Sequence, residues 1–163
     1  MFNTTLSNYA ASGKENVIQL VNFCVDNEEY GVEVLKVREI IRLAEVTRVP
    51  NAPSFVDGVF NLRGKVIPII SLRKRLALPP IANDSRTRII VLDIAENLTG
   101  ILVDAVTEVL RITSDEIQPA PGSLSANSDE QLFAGLVNRD NRIFILLNLE
   151  KMLTSTDMQA ISH

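Results

Sequence analysis

The chain of 163 residues has one cysteine, Cys24, and one histidine, His163, its last residue. A single cysteine excludes an intrachain disulfide and leaves a reducing compartment open. One terminal histidine supplies neither a histidine-based triad nor a zinc-type ligand set, so no metal and no cofactor is expected. Aromatic residues make up 5%, and 20 acidic side chains outweigh 16 basic ones for a formal net charge of −4. Gripping a phosphate backbone or stacking bases calls for the opposite balance, so nucleic acid is not an expected partner. No apolar run approaches the ~20 residues that cross a bilayer, which argues against direct membrane insertion. The opening stretch MFNTTLSNYAASGKEN has no basic start followed by an apolar core, so no secretory leader is expected. No glycine-rich phosphate loop and no nucleophile–base pair is visible, and no enzyme activity is expected. Cys24 lies in an apolar run and reads as a small core residue. The sum of these absences is a soluble, cytoplasmic, non-catalytic chain.

What is present is apolar material, 46% of the residues, distributed in short runs. Residues 1–16 lack periodicity and read as a mobile tail. From Val17 the runs VIQLVNFCV, YGVEVLKVREII, GVFNL, KVIPII, RIIVLDIA, GILVDAVTEVLRI, AGLVN and RIFILL follow one another between turn residues. Many short β-branched runs with regular punctuation predict a β-sandwich or barrel. Residues 31–42 are ambiguous. Val34, Val37 and Ile41 have helical spacing, while Val32 and Val34 alternate as in a strand. A strand with a phase shift near Leu35 reconciles the two. DNEE (26–29) reads as an exposed hairpin turn, and RKR (73–75) as the solvated face of a short helix.

The chain repeats itself. YGVEVLKVREIIR (30–42) lies over TGILVDAVTEVLR (99–111) without a gap at a shift of 69, matching Gly31 with Gly100, Val34 with Val103, Val37 with Val106, Glu39 with Glu108 and Arg42 with Arg111. GVFNLRGKVIPIISLRKRL (58–76) lies over GLVNRDNRIFILLNLEKML (135–153) at a shift of 77. Two copies of one small β unit are therefore expected, at about 17–78 and 86–153. Units of that size are marginal alone, so the copies should pack together with a cleft between them. Ser71 and Asn148 fall at matching N-cap positions, each predicting a short helical turn, the second running on as a C-terminal helix. In the hairpin turns, Gly64 matches Asn141, and both types tolerate positive φ. Arg63, however, matches Asp140. The turn accepts either sign of charge, so Arg63 is either a solvated turn residue or one that pairs with a carboxylate in the cleft. Glu39 is an available partner, although its recurrence as Glu108 indicates a partly structural task such as balancing Arg42.

The stretch GVFNLRGKVIPIISLRKRL, together with VNFCVDNEEYGVEVLKVREI, VTRVPNAP, GILVDAVTEVLRIT, EIQPAP and ILLNLEKML, resembles the CheW-like domain family over about residues 17–158, leaving 159–163 as a C-terminal end. One departure is Ser71, where the family usually has aspartate. The resemblance implies an all-β fold of two intertwined, five-stranded SH3-like barrels. It implies a non-catalytic adaptor that joins the cytoplasmic tip of methyl-accepting chemoreceptors to the regulatory domain of the histidine kinase CheA, recruited through these partners to membrane arrays and able to form rings with kinase domains. By position, it assigns Val34, Val37, Glu39, Ile40, Arg63, Val106 and Val109 to a receptor-binding groove between barrels, and Val56, Gly58 and Val59 to kinase contact. The plain alternative for each valine is core. Other readings are an adaptor of another array, such as one for surface motility, the CheW-like half of a CheV-type protein, for which 163 residues leave no room for a receiver domain, and a tandem SH3-like nucleic-acid-binding module.

Overall fold

The computed structural model describes residues 16–43, 45–119 and 133–152. The tail at 1–15, the loop at 120–132 and the expected C-terminal helix beyond 152 lie outside the described residues. The elements in chain order are β1 (Val17–Val25), β2 (Glu28–Glu33), a 3-10 turn (Val34–Lys36), β3 (Val37–Arg42), β4 (Val56–Leu62), β5 (Lys65–Ser71), helical turn α1 (Leu72–Arg75), β6 (Arg88–Ile94), β7 (Asn97–Val103), β8 (Ala105–Thr113), a second 3-10 turn (Ser114–Glu116), β9 (Ile117–Gln118), β10 (Phe133–Arg139), β11 (Arg142–Leu147) and helical turn α2 (Leu149–Met152).

The strands form two sheets, β8-β1-β2-β11-β10-β9 and β3-β6-β7-β5-β4. Each sheet curls until the two ends of one segment meet. Thr47, just past β3, bridges to Val59 of β4 through bonds of 2.8 Å in both directions. β9, one 3-10 turn past β8, pairs with β10 through Ile117–Val137 and Gln118–Leu136. The result is barrel one (β3 to β7) and barrel two (β1, β2 and β8 to β11). The hairpins are exchanged: β1–β2 pairs with β8 and β11, while β6–β7 pairs with β3 and β5. Residues 31–42 are not one strand with a phase shift. The 3-10 turn at Val34–Lys36 separates β2 of one sheet from β3 of the other, because the chain changes barrel there.

This exchange explains why the strands read as nearly continuous apolar runs. A strand buried on both faces has no polar side to show. In β6, Ile89 and Val91 point into barrel one, whereas Ile90, Leu92 and Ile94 point at barrel two. In β1, Ile18 and Leu20 fill barrel two, and Val21, Phe23 and Val25 face barrel one. A β-bulge between Asn22 and Phe23 adjusts the register against β8. Three cores follow. The barrel interiors hold Phe60, Ile67, Ile69, Ile89 and Val91 in one, and Ile18, Leu20, Ile112, Ala134, Val137, Phe144 and Leu146 in the other. The largest lies between the barrels and draws on both sheets, with Phe23 and Tyr30 stacked at 5.9 Å between ring centroids. Each buried aliphatic side chain is worth about 1.5–3 kcal/mol, so the contact between barrels is as much a folding core as either interior. Burial pushes the Tyr30 hydroxyl up to about 12, with Glu28 and Asp26 adding to it.

Across barrel one, the outer-face residues align in register as Ile40–Ile90–Ile101–Ile70–Val56. Four of the five are buried, and Ile40, at the end of the row, is 39% exposed. Barrel two repeats the start of this row as Val109–Val21–Val32, with Val109 56% exposed. The core between the barrels thus surfaces on β3 and on β8.

Candidate functional site

The hairpin between β4 and β5 turns through Arg63 and Gly64, with φ of 50° and 90°; that between β10 and β11 turns through Asp140 and Asn141, at 54° and 65°. Two successive left-handed residues are what a tight hairpin requires. Gly64 adopts this conformation freely and donates its N–H to Asn61 Oδ1 at 2.7 Å. Aspartate and asparagine enter the left-handed region more readily than most residues; arginine has no such aptitude. Arg63 therefore sits where local folding would select another residue.

Its side chain reaches back to β3. Arg63 Nη1 donates to Glu39 Oε2 at 2.6 Å and Nη2 to Oε1 at 3.0 Å, the two-pronged geometry that suits a guanidinium and a carboxylate. The hydrogen bond from Arg63, opposed by partial desolvation and helped by charge attraction, holds the Glu39 carboxyl below the usual carboxylate range. The Arg63 side chain remains 72% exposed. With Arg38, Leu62, Lys65 and Leu98, the pair borders an open cavity of about 500 Å³ at the mouth of barrel one. Glu39 is not balanced by Arg42, since residues three apart on a strand point to opposite faces.

Barrel two keeps the glutamate and recruits its arginine from another position. Arg142 Nη2 donates to Glu108 Oε2 at 2.8 Å and to Glu29 Oε1 at 2.7 Å, and Nε donates to Glu29 Oε2 at 3.2 Å. The guanidinium also lies 4.7 Å over the Phe144 ring. Arg142 matches Lys65 in the repeat, not Arg63. Both glutamates thus hold a barrel-mouth arginine, and matching position by position conceals it.

Val34, Val37 and Val106 are half-buried against the core between the barrels, whereas Ile40 and Val109 are exposed. The groove assignment therefore joins residues that are largely core with two that face outward. The segment assigned to kinase contact is mostly covered. Val56 is buried at the end of the Ile40 row, and Gly58, at φ 150°, is buried beneath the chain at Thr47. A Cβ at Gly58 would lie 2.2 Å from the Thr47 carbonyl oxygen, so that glycine serves the closure of barrel one. Val59 is half-buried. Beside this segment, the 48–54 loop borders an open cavity of about 750 Å³ whose lining includes Arg48, Asn51, Asp57 and Lys74.

Sequence reasoning missed one side-chain network. Arg73 is not on a solvated face: its side chain is 11% exposed. Nε donates to Asp104 Oδ1 at 3.1 Å, Nη2 to Asp104 Oδ2 at 2.9 Å and to Asp26 Oδ1 at 3.3 Å, and Nη1 to the Pro79 carbonyl at 2.6 Å. Asp104 Oδ2 also accepts the Asp26 N–H at 2.8 Å. Asp104 lies where the chain crosses from β7 of barrel one to β8 of barrel two, so the network ties both barrels at that crossing. The available signal was the brevity of α1, whose N-cap Ser71 accepts the Lys74 N–H at 3.3 Å. Three consecutive side chains spread over about 200° of a helical turn, so in a turn this short one of them comes back toward the protein.

Cys24 is half-buried and its thiol is raised by burial and then by Asp104, the reverse of what a nucleophilic cysteine needs. Among the described residues, no three His, Cys, Asp or Glu side chains converge as a metal ion would require. No helix among them is long and apolar enough to cross a membrane. Two interlocked SH3-like barrels whose shared core surfaces as an apolar strip beside arginine–glutamate pairs define a protein-interaction module.

The family model for the CheW-like domain matches residues 19–157. The chain is 41% identical to the chemotaxis protein CheW of Klebsiella aerogenes over 86% of this chain and 84% of that one. It is 37% identical to the chemotaxis protein CheW of Helicobacter pylori over 85% and 83%. The crystal structure of the scaffolding protein TtCheW from Thermoanaerobacter tengcongensis superposes with a TM-score of 0.80 at 30% identity, covering 87% of this chain and 96% of that one. The chain belongs to the CheW-like domain family. It is a chemotaxis scaffold of that family, an adaptor rather than an enzyme.

Proposed function

We propose that this adaptor couples methyl-accepting chemoreceptors to the histidine kinase CheA. The observation that carries the reading is the pair of apolar rows that are buried between the barrels and end exposed at Ile40 and Val109. An amphipathic helix laid over such a strip buries its own apolar face. The receptor tip, a helical hairpin, docks there, with Val34, Val37 and Val106 forming the floor and the Arg63–Glu39 pair at the barrel mouth. Kinase contact falls to Val59 and the 48–54 loop with its cavity, because Val56 and Gly58 support that surface from below. The two surfaces differ, so a chain of heterologous contacts with a same-fold kinase domain closes into rings. The protein is cytoplasmic and reaches membrane arrays through its partners.

No chemistry is needed. An adaptor transmits a signal by contacting two states of its partners differently, and a differential of 1–3 kcal/mol gives roughly 5–150-fold coupling. Affinity capture with the purified chain should retain a soluble receptor cytoplasmic fragment and CheA, and Val109→Asp should lose the receptor while keeping the kinase. Failure of the wild-type chain to retain either partner removes the proposal.

A further inference from the structure

Arg42 of β3 and Arg88 of β6 are direct partners in the barrel-one sheet. Side chains of opposed antiparallel partners emerge on the same face with their Cβ atoms roughly 5 Å apart, and like charges placed so repel. The fold gives little back for this. The Arg42 side chain is exposed and makes no hydrogen bond or ion pair among the described residues. Arg88 spends Nη1 on the Ser85 and Thr87 carbonyls, both at 2.8 Å, which leaves Nη2 and Nε without partners there. Other arginines of the protein meet carboxylates, as Arg63, Arg73, Arg139 and Arg142 do. Barrel two settles its charges: Arg111, which matches Arg42, stands opposite Gln19, and its facing pair Arg139 and Arg142 is neutralised by Glu116 and by Glu29 and Glu108. Among the described residues, only the barrel-one pair of facing cations is left without a carboxylate.

Their place tells what they meet. Arg42 and Ile40 are two apart on β3, so they share a face about 6.8 Å from one another. One turn of an α-helix advances about 5.4 Å. We infer that Arg42 and Arg88 form a clamp for one carboxylate on a docked helix, an aspartate or glutamate one turn from the apolar residue that seats on Ile40. This rests on the receptor-docking reading above and adds to it a register and a charge requirement. A carboxylate between the two guanidiniums turns their repulsion into two charge-assisted hydrogen bonds. The apolar contact then supplies area, and the clamp chooses among helices that are equally apolar.

The test is titration calorimetry of the full chain with a soluble receptor cytoplasmic fragment at two salt concentrations, alongside thermal melting. Arg42→Gln and Arg88→Gln should each weaken binding about three- to tenfold and flatten its salt dependence. The double variant should cost little more than either single change. Arg42→Gln should melt at or above the wild-type temperature, because it removes a repulsion and no bond, whereas Arg88→Gln also gives up the Ser85 and Thr87 carbonyl bonds; a fall in both melting and binding for Arg42→Gln would assign the arginines to folding and overturn the clamp. A receptor fragment with its matching acid changed to lysine should lose affinity for the wild-type chain and recover it with Arg42→Glu. Wild-type affinity in both glutamine variants, with binding lost in Ile40→Asp, overturns the clamp and leaves the docking reading standing. No binding by the wild-type chain overturns both. Self-association, or retention of duplex DNA, that disappears in Arg42→Gln would assign the clamp to a second copy or to a phosphate backbone and overturn it as stated.

Discussion

Barrel one and barrel two have the same strand plan, and they differ where charge and polarity are concerned. At the chain crossings, barrel one sends Arg73 into a nearly buried network with Asp104 and Asp26. At the matching place after β11 stands Glu150, whose tie to the other barrel is a 3.8 Å pair with Lys36, 52% and 43% exposed. In the interiors, Val91 packs among isoleucines in barrel one, while its counterpart Asn22 is fully buried in barrel two. Neither amide atom of Asn22 has a hydrogen-bond partner among the described residues. At the mouths, barrel one exposes an arginine at the turn, and barrel two draws its arginine inward over Phe144. A duplicated fold therefore does not divide stability evenly. One crossing is pinned, one interior carries an unsatisfied amide, and one mouth offers its charge outward.

The largest effect should come from breaking the pinned crossing. Arg73→Ala leaves Asp104 nearly buried without its cation and should lower unfolding free energy by about 3 kcal/mol. Lys36→Ala, at the other crossing, should change it by no more than about 0.5 kcal/mol. Urea denaturation of both variants decides the matter; equal losses would erase the asymmetry.

Next in size is Asn22→Val, which gives barrel two the residue that barrel one already has. Removing a buried amide without partners should raise stability by about 1–2 kcal/mol. The Thr107 hydroxyl bond to the Asn22 carbonyl at 3.1 Å involves the backbone and survives the change. A loss of stability on chemical denaturation would mean that the amide has a role in the fold that its surroundings do not reveal.

A smaller effect concerns acid. Burial alone would raise the Glu116 carboxyl, but the Thr113 N–H at 2.8 Å and Arg139 at 2.7 Å together hold it below its usual range. Glu39 is lowered as well, through Arg63. A carboxylate whose value falls on folding stabilises the protein above its unfolded value, near 4.3, and that stabilisation is lost as pH drops through the folded value. Stability should therefore fall with acidification below about pH 4.3, and Glu116→Gln should flatten that limb at a cost near 1 kcal/mol at neutral pH. A wild-type acid limb in that variant would show that Glu116 is not a contributor.

How much of this was legible beforehand depended on the range of each interaction. Strands such as VIQLVNFCV and RIIVLDI were visible because burial on both faces writes itself as an apolar run. The turns at Gly64 and Asn141 were visible because positive φ restricts residue type. The hairpin exchange was not, because pairing between β2 and β11 or between β5 and β7 leaves no local mark. The break at Val34–Lys36 was mistaken for a register shift inside one strand for the same reason: only the partner sheet distinguishes a shift from a crossing. Arg73 was misplaced since a basic run looks solvated until the crossing at Asp104 is known. Comparing the copies residue by residue set Arg63 against Asp140 and missed that Arg142, two positions on, does the equivalent work for Glu108.

Because Arg142 serves Glu108, pairing with a glutamate does not set Arg63 apart, and the two arginines give the finest discrimination between the barrels. The fold maintains a glutamate–arginine pair at both mouths, so pairing alone does not explain why barrel one places its arginine at a left-handed turn position and leaves it mostly in solvent. Asparagine at 63 would suit the backbone better and resemble the Asp140–Asn141 turn. If the arginine serves only the pair, Arg63→Asn should exchange one small contribution for another and leave receptor binding intact. If it is retained for a partner, the variant should melt at or above the wild-type temperature and yet bind a receptor cytoplasmic fragment several-fold more weakly. Arg142→Asn should show the opposite pattern, with lower melting and unchanged binding, because its guanidinium is committed to Glu29, Glu108 and Phe144. Measuring melting and binding on both variants separates an arginine held by folding from one held by recognition; the same pattern in both would mean that the two mouths are equivalent after all.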